Sequence, residues 1–233
     1  MINTEYKKLV KHILDNGTYQ ECRNGHQLII PSYSFTLDFR STDHIISLRK
    51  MYTRGIIGEF ETLVDADNPL TNVKQFKNNG CNYWDKFASE DGSLRLDYYD
   101  RLHPQLEDVI ENIKKDPYSR RHVISLWHHE NVQSDVLSLA SCWHNLTFSI
   151  INDTLHLTWV QRSVDTMVGL PSDIVLAFMF MQLVSDRTGY KIGTCMFSLS
   201  NVHIYEEHIE GAKELLTRSA ADYAKPLKFE LKE

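Results

Sequence analysis

A segment that is apolar on every side constrains the fold more strongly than any other part of this chain of 233 residues. From Ile174 to Met181 the sequence is Ile-Val-Leu-Ala-Phe-Met-Phe-Met, inside a predicted helix over residues 172–188. A helix with no polar face is stable only where other elements surround it. The sequence therefore predicts a central buried helix with the rest of the chain packed around it.

Alternation of apolar and polar residues predicts strands before and after this helix. Residues 143–151 and 154–162 alternate with the period of a strand, and Asn152-Asp153 between them favours a hairpin turn. Further strands are predicted at residues 28–39, 122–127, 192–200 and 226–231. Pro31 is expected at the start of its strand or at a bulge, because proline donates no backbone hydrogen bond.

Helical spacing of apolar residues predicts the remaining elements. Helices are expected at residues 4–15, 43–63, 104–115 and 204–217, with a short one at residues 83–88. Asp116-Pro117 ends the third of these helices. Because no linker, repeat or low-complexity segment divides the chain, a single α+β domain over residues 1–233 is predicted.

The charge and the cysteines limit the class of function. A formal charge of -6 argues against a broad nucleic-acid surface and favours a small anionic ligand. The four cysteines form no C-x-x-C pair, so neither a zinc site nor a redox pair is expected. Because the sequence contains no signal peptide and no apolar run of about 20 residues, a soluble cytoplasmic protein is predicted.

Cys142 is the strongest candidate for chemistry. Arg120 and Arg121 precede a predicted strand, Arg162 ends another, and Arg23 lies in a loop with a glycine. Nearby cations lower the pKa of a thiol, and guanidinium groups also bind phosphate. These residues predict a thiolate nucleophile beside a phosphate site. The other cysteines are expected to be buried apolar residues: Cys22, Cys81 and Cys195.

The order and spacing of several motifs resemble those of the thymidylate synthase superfamily. The motifs are Cys142, Gln161-Arg162-Ser163, Asp165 and Gly169-Leu170-Pro171, and the resemblance extends from about Arg23 to His208. It implies a mixed sheet packed against helices and a homodimer formed through a face of the sheet. It also implies folate-dependent transfer of a one-carbon unit to C5 of a pyrimidine nucleotide, with 5,10-methylenetetrahydrofolate as co-substrate and no metal.

The resemblance also implies roles for individual residues. Cys142 corresponds to the nucleophile that adds to C6 of the pyrimidine, and Glu59, in Arg-Gly-Ile-Ile-Gly-Glu, to the residue that orders water and relays protons. The implied phosphate ligands are Arg23, Arg162 and Ser163 of the same chain, with Arg120 and Arg121 from the partner chain. The implied sugar ligands are His203 and Tyr205, and the implied folate site contains Trp84, Leu139, Asp165 and Gly169.

Asp173 stands where thymidylate synthases carry an asparagine. An asparagine amide matches the N3 donor and O4 acceptor of uracil, whereas a protonated carboxyl, or a carboxylate facing N3-protonated cytosine, matches cytosine. A mismatch leaves buried polar groups unpaired at about 1–3 kcal/mol each, which predicts an about tenfold to hundredfold preference for cytosine. Taken alone, Asp173 is interpreted as the N-cap of the apolar helix, a role compatible with base recognition.

Other departures from the superfamily favour a hydroxymethyl product. Ser141, Trp143, Ser172 and Asn201 replace the Pro, His, Phe and Asp of thymidylate synthases. Phage dCMP 5-hydroxymethylases share in kind the aspartate and the loss of the histidine. The chain also ends at Glu233, before the lid that closes over the folate in thymidylate synthases. Water is therefore expected to reach the one-carbon unit and give 5-hydroxymethyl-dCMP, for DNA modification in a phage-infected bacterium.

Alternatives stay open at this point. Within the superfamily they are a dCMP C5-methyltransferase and a dUMP or CMP hydroxymethylase. A catalytically silent nucleotide- or RNA-binding homologue is disfavoured because Cys142, Glu59 and the phosphate arginines are all present. A Cys-His hydrolase is disfavoured because no glycine motif for an oxyanion hole accompanies Cys142.

Overall fold

The computed structural model describes residues 2–41, 44–65, 68, 70–96, 98–132 and 138–220. The helices are α1 (Ile2–Asn16), α2 (Thr53–Val64), α3 (Val73–Asn78), α4 (Tyr98–Lys115), α5 (Gly169–Thr188) and α6 (Ile209–Thr217). The strands are β1 (Thr18–Cys22), β2 (Gly25–Asp38), β3 (Val123–Ser125), β4 (Trp143–Ile151), β5 (Thr154–Gln161), β6 (Val164–Asp165) and β7 (Lys191–Tyr205). Short 3₁₀ turns lie at Asp85–Phe87, His129–Val132 and Glu206–His208.

The described strands form one mixed sheet. Their order is β1-β2-β7-β5-β4-β3, and β6 pairs with β7 outside this path. β7 is antiparallel to β2 but parallel to β5, while β4 is antiparallel to β5. A parallel pair requires a crossover connection, and α5 lies in the crossover from β5 to β7. The predicted α+β fold, with a mixed sheet packed against helices, is confirmed.

The apolar helix α5 is central, as the sequence predicts. Every residue from Ile174 to Met181 is buried, and the helix packs against β5, β7, α2 and α4. It begins at Gly169, three residues earlier than predicted, because Pro171 is accommodated in the first turn, where no backbone N–H is required. It ends where Gly189 adopts a left-handed φ of 82° and donates its N–H to the Ser185 carbonyl at 2.8 Å.

The hairpin between β4 and β5 has the tight turn that the sequence predicts. Asn152 and Asp153 have φ values of 50° and 55°, which is the backbone of the predicted tight hairpin turn.

The expectation that Pro31 lies at the start of its strand or at a bulge is wrong. Pro31 lies inside β2, and the residue pairs on either side of it keep a common register with β7. The residue opposite Pro31 in β7 is Asn201, whose left-handed φ of 48° interrupts the hydrogen bonds between the two strands at this point. Proline, which has no backbone N–H to donate, is therefore accommodated there.

The start of α2 differs from the prediction. The helix begins at Thr53 rather than near residue 43, and the described residues 44–52 are not helical. Tertiary contacts hold this segment instead: the Ser47 backbone N–H donates to Asn3 Oδ1 at 2.9 Å, and the Leu48 side chain is buried. Burial and a long-range hydrogen bond therefore override the local helical spacing.

The start of α4 also differs from the prediction of residue 104. The helix begins at Tyr98 and contains Pro104 in its interior. Leu102, Leu106 and Ile110 recur at helical spacing across the proline, and all three are buried. Burial of this face offsets the backbone hydrogen bond that proline removes.

Two further elements are not matched between the prediction and the described residues. The strand predicted at residues 226–231 lies outside the described residues. α3 was not predicted, although Asn72 and Gln75 form a capping box at its start. Among the described helices, none is long and apolar enough to span a membrane.

Candidate functional site

A cavity of about 460 Å³ lies where β5, β6 and β7 meet the turn between β1 and β2. The chain reaches this place because β5 and β7 are parallel neighbours, so the residues that follow β5 lie beside the end of β7. The cavity brings together eight of the predicted site residues: Arg23, Leu139, Cys142, Arg162, Ser163, Asp165, His203 and Tyr205.

The end of β5 positions Arg162 beside Cys142. The Arg162 backbone N–H donates to the Cys142 carbonyl at 2.9 Å. Its guanidinium donates to the carbonyls of Ser141 at 3.0 Å and Ala140 at 2.8 Å, and lies 5.3 Å from the centre of the Trp127 ring. These contacts hold a positive charge next to the thiol, and Trp127 adds a cation–π contact that the sequence did not indicate.

The pKa of the Cys142 thiol differs from the prediction. Burial raises it to about 11, Arg162 lowers it, and the carboxyls of Asp173 and Asp165 raise it. The expectation that nearby arginines give a reactive thiolate in the free protein is therefore wrong, because desolvation of the thiolate outweighs the attraction of one guanidinium. Among the other cysteines, Cys81 and Cys195 are buried as expected, whereas Cys22 is half-buried.

Two aromatic side chains hold Glu59, which lies on α2. The Trp84 indole donates to Oε1 at 2.9 Å, and the Tyr83 hydroxyl donates to Oε2. Both hydrogen bonds favour the ionised carboxylate, but burial is the larger effect and raises the pKa of Glu59 to about 7. A carboxyl with this pKa can take up and release a proton near neutral pH.

Of the aromatic residues near the 3₁₀ turn Asp85–Phe87, Phe87 borders the cavity and Trp84 does not. Trp84 is 6% exposed and packs between Phe76 and Phe87, whereas Phe87 and Lys86 border the cavity. Trp84, Lys86 and Phe87 all lie in or beside the 3₁₀ turn Asp85–Phe87. The sequence indicated this short helix, but its spacing could not decide which ring faces the cavity.

Asp173 lies in the second turn of α5, so the N-cap interpretation is wrong. The N-cap position is Val168. The Gln161 amide donates from Nε2 to Asp173 Oδ2 at 2.9 Å. Burial raises the pKa of the Asp173 carboxyl to about 8; the Gln161 hydrogen bond lowers it, and the nearby Glu59 carboxyl raises it. Asp173 is therefore a half-buried carboxyl that is mainly protonated at neutral pH.

Tyr98, at the start of α4, is a site residue that the sequence did not indicate. Its side chain is buried, and its ring centre lies 4.7 Å from that of Trp143. Burial raises the pKa of its hydroxyl. Charges on Cys142, Asp173 and Glu59 raise this pKa as well. The phenol therefore lies among the three predicted catalytic residues. No motif marks it, because a tyrosine before an apolar helix is ordinary in a core.

The end of β7 presents two side chains toward the turn that contains Arg23. His203 Nδ1 lies 2.8 Å from the Asn201 carbonyl, which only accepts, so Nδ1 carries the proton and Nε2 is an acceptor in the neutral ring. His203 Nε2 is buried and has no hydrogen-bond partner among the described residues. The Tyr205 hydroxyl accepts a hydrogen bond from Asn24 at 3.2 Å. This pair offers one unsatisfied acceptor to a ligand.

The loop between β6 and α5 positions Asp165 and Gly169. Asp165 Oδ1 accepts the backbone N–H groups of Met167 at 3.0 Å and Val168 at 3.1 Å, which fixes the carboxylate at the edge of the cavity. A Cβ atom on Gly169 would lie 3.8 Å from both Asp165 Cβ and Asp173 Oδ2. Gly169 therefore lies within ordinary van der Waals reach of both Asp165 and Asp173.

The structure does not bring Arg120 and Arg121 to the cavity. Both side chains are exposed and precede β3, and neither borders the cavity. Their predicted role in a partner's site stays a prediction.

Among the described residues, one group has the geometry of a metal site: His128, His129 and Glu130. This group does not border the cavity.

The chain matches known proteins in sequence and in fold. Its sequence matches the family described as "Thymidylate synthase" over residues 4–233. Its fold is similar to that of thermostable thymidylate synthase A from Bacillus subtilis, with a TM-score of 0.83 and 23% identity over 94% of this chain and 85% of that chain. The family match covers nearly the whole sequence. The chain therefore belongs to the thymidylate synthase family, whose members are folate-dependent one-carbon transferases that act on pyrimidine nucleotides and are usually dimers.

Proposed function

We propose that this protein is a dCMP 5-hydroxymethyltransferase that uses 5,10-methylenetetrahydrofolate. The observation that carries the proposal is Asp173, a half-buried carboxyl with a pKa raised to about 8 and close enough to Cys142 to raise the pKa of its thiol. In its neutral form this carboxyl donates to N3 of cytosine and accepts from the exocyclic amino group. Thymidylate synthases carry an asparagine at this position, which suits uracil.

Trp143 also supports cytosine as the base. It follows Cys142, where thymidylate synthases have a histidine that serves O4 of uracil. The indole is buried, and its ring centre lies 4.8 Å from that of Trp159 and 4.7 Å from that of Tyr98. The imidazole that serves O4 is therefore replaced by a buried indole, which removes a polar group suited to uracil.

In the proposed reaction Cys142 adds to C6 of the pyrimidine, which makes C5 nucleophilic toward the one-carbon unit. C5 attacks the methylene carbon, and loss of the C5 proton then expels tetrahydrofolate by breaking the bond between that carbon and the folate nitrogen. Water adds to the methylene carbon, and the Cys142 sulfur leaves C6. Because the thiol pKa is about 11, Cys142 must lose its proton as it attacks. Tyr98 lies beside both Cys142 and Glu59, and Glu59, with a pKa of about 7, is suited to accept protons in these steps.

The residues around the cavity are chemically suited to a folate. Phe87 offers an aromatic face and Leu139 an apolar contact, while Asp165 Oδ1 is fixed by backbone N–H groups at the cavity edge. A volume of about 460 Å³ is in the range of small-molecule sites. The folate supplies a one-carbon unit at the oxidation level of formaldehyde, so addition of water requires no reductant.

A homodimer would complete the phosphate site in this proposal. Arg23, Arg162 and Ser163 border the cavity within one chain, and Arg120 and Arg121 are exposed elsewhere on the same chain. The outer face of the sheet carries small, half-buried side chains that suit close packing against a second copy: Thr147, Ser149, Thr158 and Ser198. We infer that this face forms the dimer interface and that the arginine pair acts in the partner's site.

The proposed function is tested by product analysis. The protein is incubated with methylenetetrahydrofolate and dCMP, dUMP or CMP in parallel, and the nucleotide and folate products are identified by mass spectrometry. We expect 5-hydroxymethyl-dCMP with release of tetrahydrofolate. A product of 5-methyl-dCMP with dihydrofolate indicates a methyltransferase, because the methyl group takes its hydride from the folate. Turnover of dUMP alone contradicts the role given to Asp173.

A second assay separates an enzyme from a silent homologue. Addition of Cys142 to C6 labilises the C5 hydrogen, which then exchanges with solvent. We expect the protein to exchange the C5 deuterium of labelled dCMP for hydrogen, and Cys142→Ala to abolish this exchange while retaining nucleotide binding. Binding without exchange in the unmodified protein would indicate a nucleotide-binding homologue.

A further inference from the structure

We propose that Trp159 is a specificity-determining positioning residue: through Gln161 it fixes which oxygen of Asp173 accepts a hydrogen bond, and thereby which pyrimidine base is favoured. This inference rests on the proposed cytosine recognition by Asp173. Trp159 lies in the middle of β5 and is fully buried, so it does not touch a nucleotide. Its influence must therefore pass through the side chain that separates it from Asp173.

The first step is the orientation of the Gln161 amide. Trp159 Nε1 lies 3.0 Å from Gln161 Oε1, and Gln161 is 1% exposed. An indole N–H can only donate, so it must face the amide oxygen. The opposite orientation would place two donors against each other in the core, where an unpaired polar group is costly. Trp159 therefore fixes the polarity of Gln161 and directs its NH₂ group toward Asp173.

The second step is the consequence for Asp173. Gln161 Nε2 donates to Asp173 Oδ2 at 2.9 Å, so Oδ2 is an acceptor. When the carboxyl is neutral, its proton is therefore on Oδ1. The carboxyl then has one donor oxygen and one acceptor oxygen in a fixed arrangement. This arrangement would be lost if the Gln161 side-chain amide could rotate by half a turn and exchange its oxygen and NH₂ group.

The third step links this arrangement to the choice of base. Cytosine presents an acceptor at N3 and a donor at position 4, whereas uracil presents the reverse. A neutral carboxyl that is free to place its proton on either oxygen can pair with both bases, because its donor and acceptor exchange. A carboxyl with a fixed proton pairs with only one of them. Aspartate alone is thus insufficient for discrimination, and the Trp159–Gln161 pair supplies the missing constraint.

The test compares three variants with the unmodified protein. Trp159→Phe keeps the ring but removes the indole N–H, Gln161→Met removes the amide at similar size, and the third variant combines the two changes. The ratio of kcat/KM for dCMP over dUMP is measured for each. We expect the ratio to fall about tenfold in each single variant. We expect no further fall in the double variant, because both changes break the same chain of hydrogen bonds.

A control distinguishes specificity from general damage to the core. Phe197→Leu alters another buried ring beside Trp159, at 6.3 Å between ring centres, and a phenylalanine ring takes no part in the hydrogen bonds that join Trp159, Gln161 and Asp173. It should lower stability while leaving the ratio within about twofold of the unmodified protein. A ratio unchanged in Trp159→Phe, or changed equally by Phe197→Leu, overturns the proposal. So does a double variant in which the two effects add.

A measurement without turnover separates this inference from the proposed function. The Asp173 carboxyl is titrated by carbon-13 NMR in the nucleotide-free protein. The hydrogen bond from Gln161 lowers the pKa of the Asp173 carboxyl. Trp159→Phe and Gln161→Met, which disturb or remove this donor, should therefore raise the Asp173 pKa, whereas Phe197→Leu should not. If the unmodified protein does not turn over dCMP, the proposed function fails, and the titration alone decides whether Trp159 controls Asp173. An unchanged titration overturns the inference.

Discussion

The Trp84 indole donates a hydrogen bond to Glu59 Oε1 at 2.9 Å, and both residues are buried. Trp84 therefore contributes to the site through Glu59, and Phe87 presents an aromatic ring to the cavity in its place. Together with Tyr83, Trp84 supplies two donors to one buried carboxyl. The protonation of Glu59 is thus a balance between burial, which raises its pKa, and these two hydrogen bonds, which lower it.

The first prediction concerns Tyr83→Phe, which removes a donor from Glu59. Folding raises the Glu59 pKa from 4.5 to about 7, so in this range the folded state holds more protons than the unfolded state and stability falls as pH rises. Without the Tyr83 hydroxyl the pKa rises further, and this fall should continue above pH 7. Relative to the unmodified protein, we expect Tyr83→Phe to lose on the order of 1 kcal/mol more of its free energy of unfolding at pH 8 than at pH 5, measured with urea.

Tyr52→Phe is the control for this change. Tyr52 is half exposed and donates its hydroxyl to the Gly80 carbonyl at 2.8 Å, whereas the carboxyl of Glu59 accepts from Tyr83 and Trp84. Its removal should lower stability equally at both pH values. If Tyr83→Phe shows the same pH-independent loss as Tyr52→Phe, the Tyr83 hydroxyl does not control the protonation of Glu59.

The second prediction concerns the dependence of the Cys142 thiol on Arg162. Arg162 lowers the Cys142 pKa, although burial keeps it at about 11. We expect Arg162→Gln to raise this pKa and slow alkylation of Cys142 by iodoacetamide at pH 9 several-fold, whereas Arg162→Lys, which keeps the charge, slows it less. Modification at each cysteine is followed by mass spectrometry. The half-buried Cys22 is the internal standard, and equal rates for both variants would contradict the prediction.

The extent to which the sequence predicted the fold depends on whether each element is determined locally. The hairpin at Asn152-Asp153 and the apolar helix α5 were predicted correctly, because turn residues and unbroken apolarity act within a few residues. The starts of α2 and α4 were not, since contacts between Ser47 and Asn3 and burial of a helix face across Pro104 decide them. Such contacts join parts of the chain whose proximity no local pattern reveals.

The same distinction applies to the site. Motifs led to Cys142 and Arg162, which the structure places side by side. Spacing gave no indication of Tyr98, because its importance comes from three-dimensional proximity to residues far along the chain. The net effect on the Cys142 pKa was also predicted with the wrong sign, since the sequence displays nearby charges but not the burial that opposes them.

The third prediction concerns the base preference of Asp173→Asn. An asparagine amide that turns its oxygen toward N3–H and its NH₂ group toward O4 matches uracil. We therefore expect kcat/KM to fall for dCMP and rise for dUMP, with a change in their ratio of about tenfold to hundredfold. Parallel assays with both nucleotides measure this. Equal losses for the two substrates would mean that Asp173 does not recognise the base.

The fourth prediction concerns the stability of the same variant without nucleotide. Folding raises the Asp173 pKa from 3.8 to about 8, so stability falls as pH increases through this interval. Asparagine removes this dependence. We expect Asp173→Asn to be more stable than the unmodified protein by on the order of 5 kcal/mol at pH 8 and to match it near pH 4. Urea unfolding at both pH values measures the difference, and a gap that does not change with pH would contradict the raised pKa.

The fifth prediction tests the exposed arginine pair by subunit complementation. A Cys142→Ala chain and a chain with Arg120→Ala and Arg121→Ala should each be inactive alone. If the arginines act in the partner's site, a mixed dimer has one site with Cys142 from one chain and both arginines from the other. Equal mixing after reversible unfolding should then restore about one quarter of the original activity, because half of the dimers are mixed and each has one complete site. No recovery in a mixture shown to exchange subunits would place the arginines outside the partner's site.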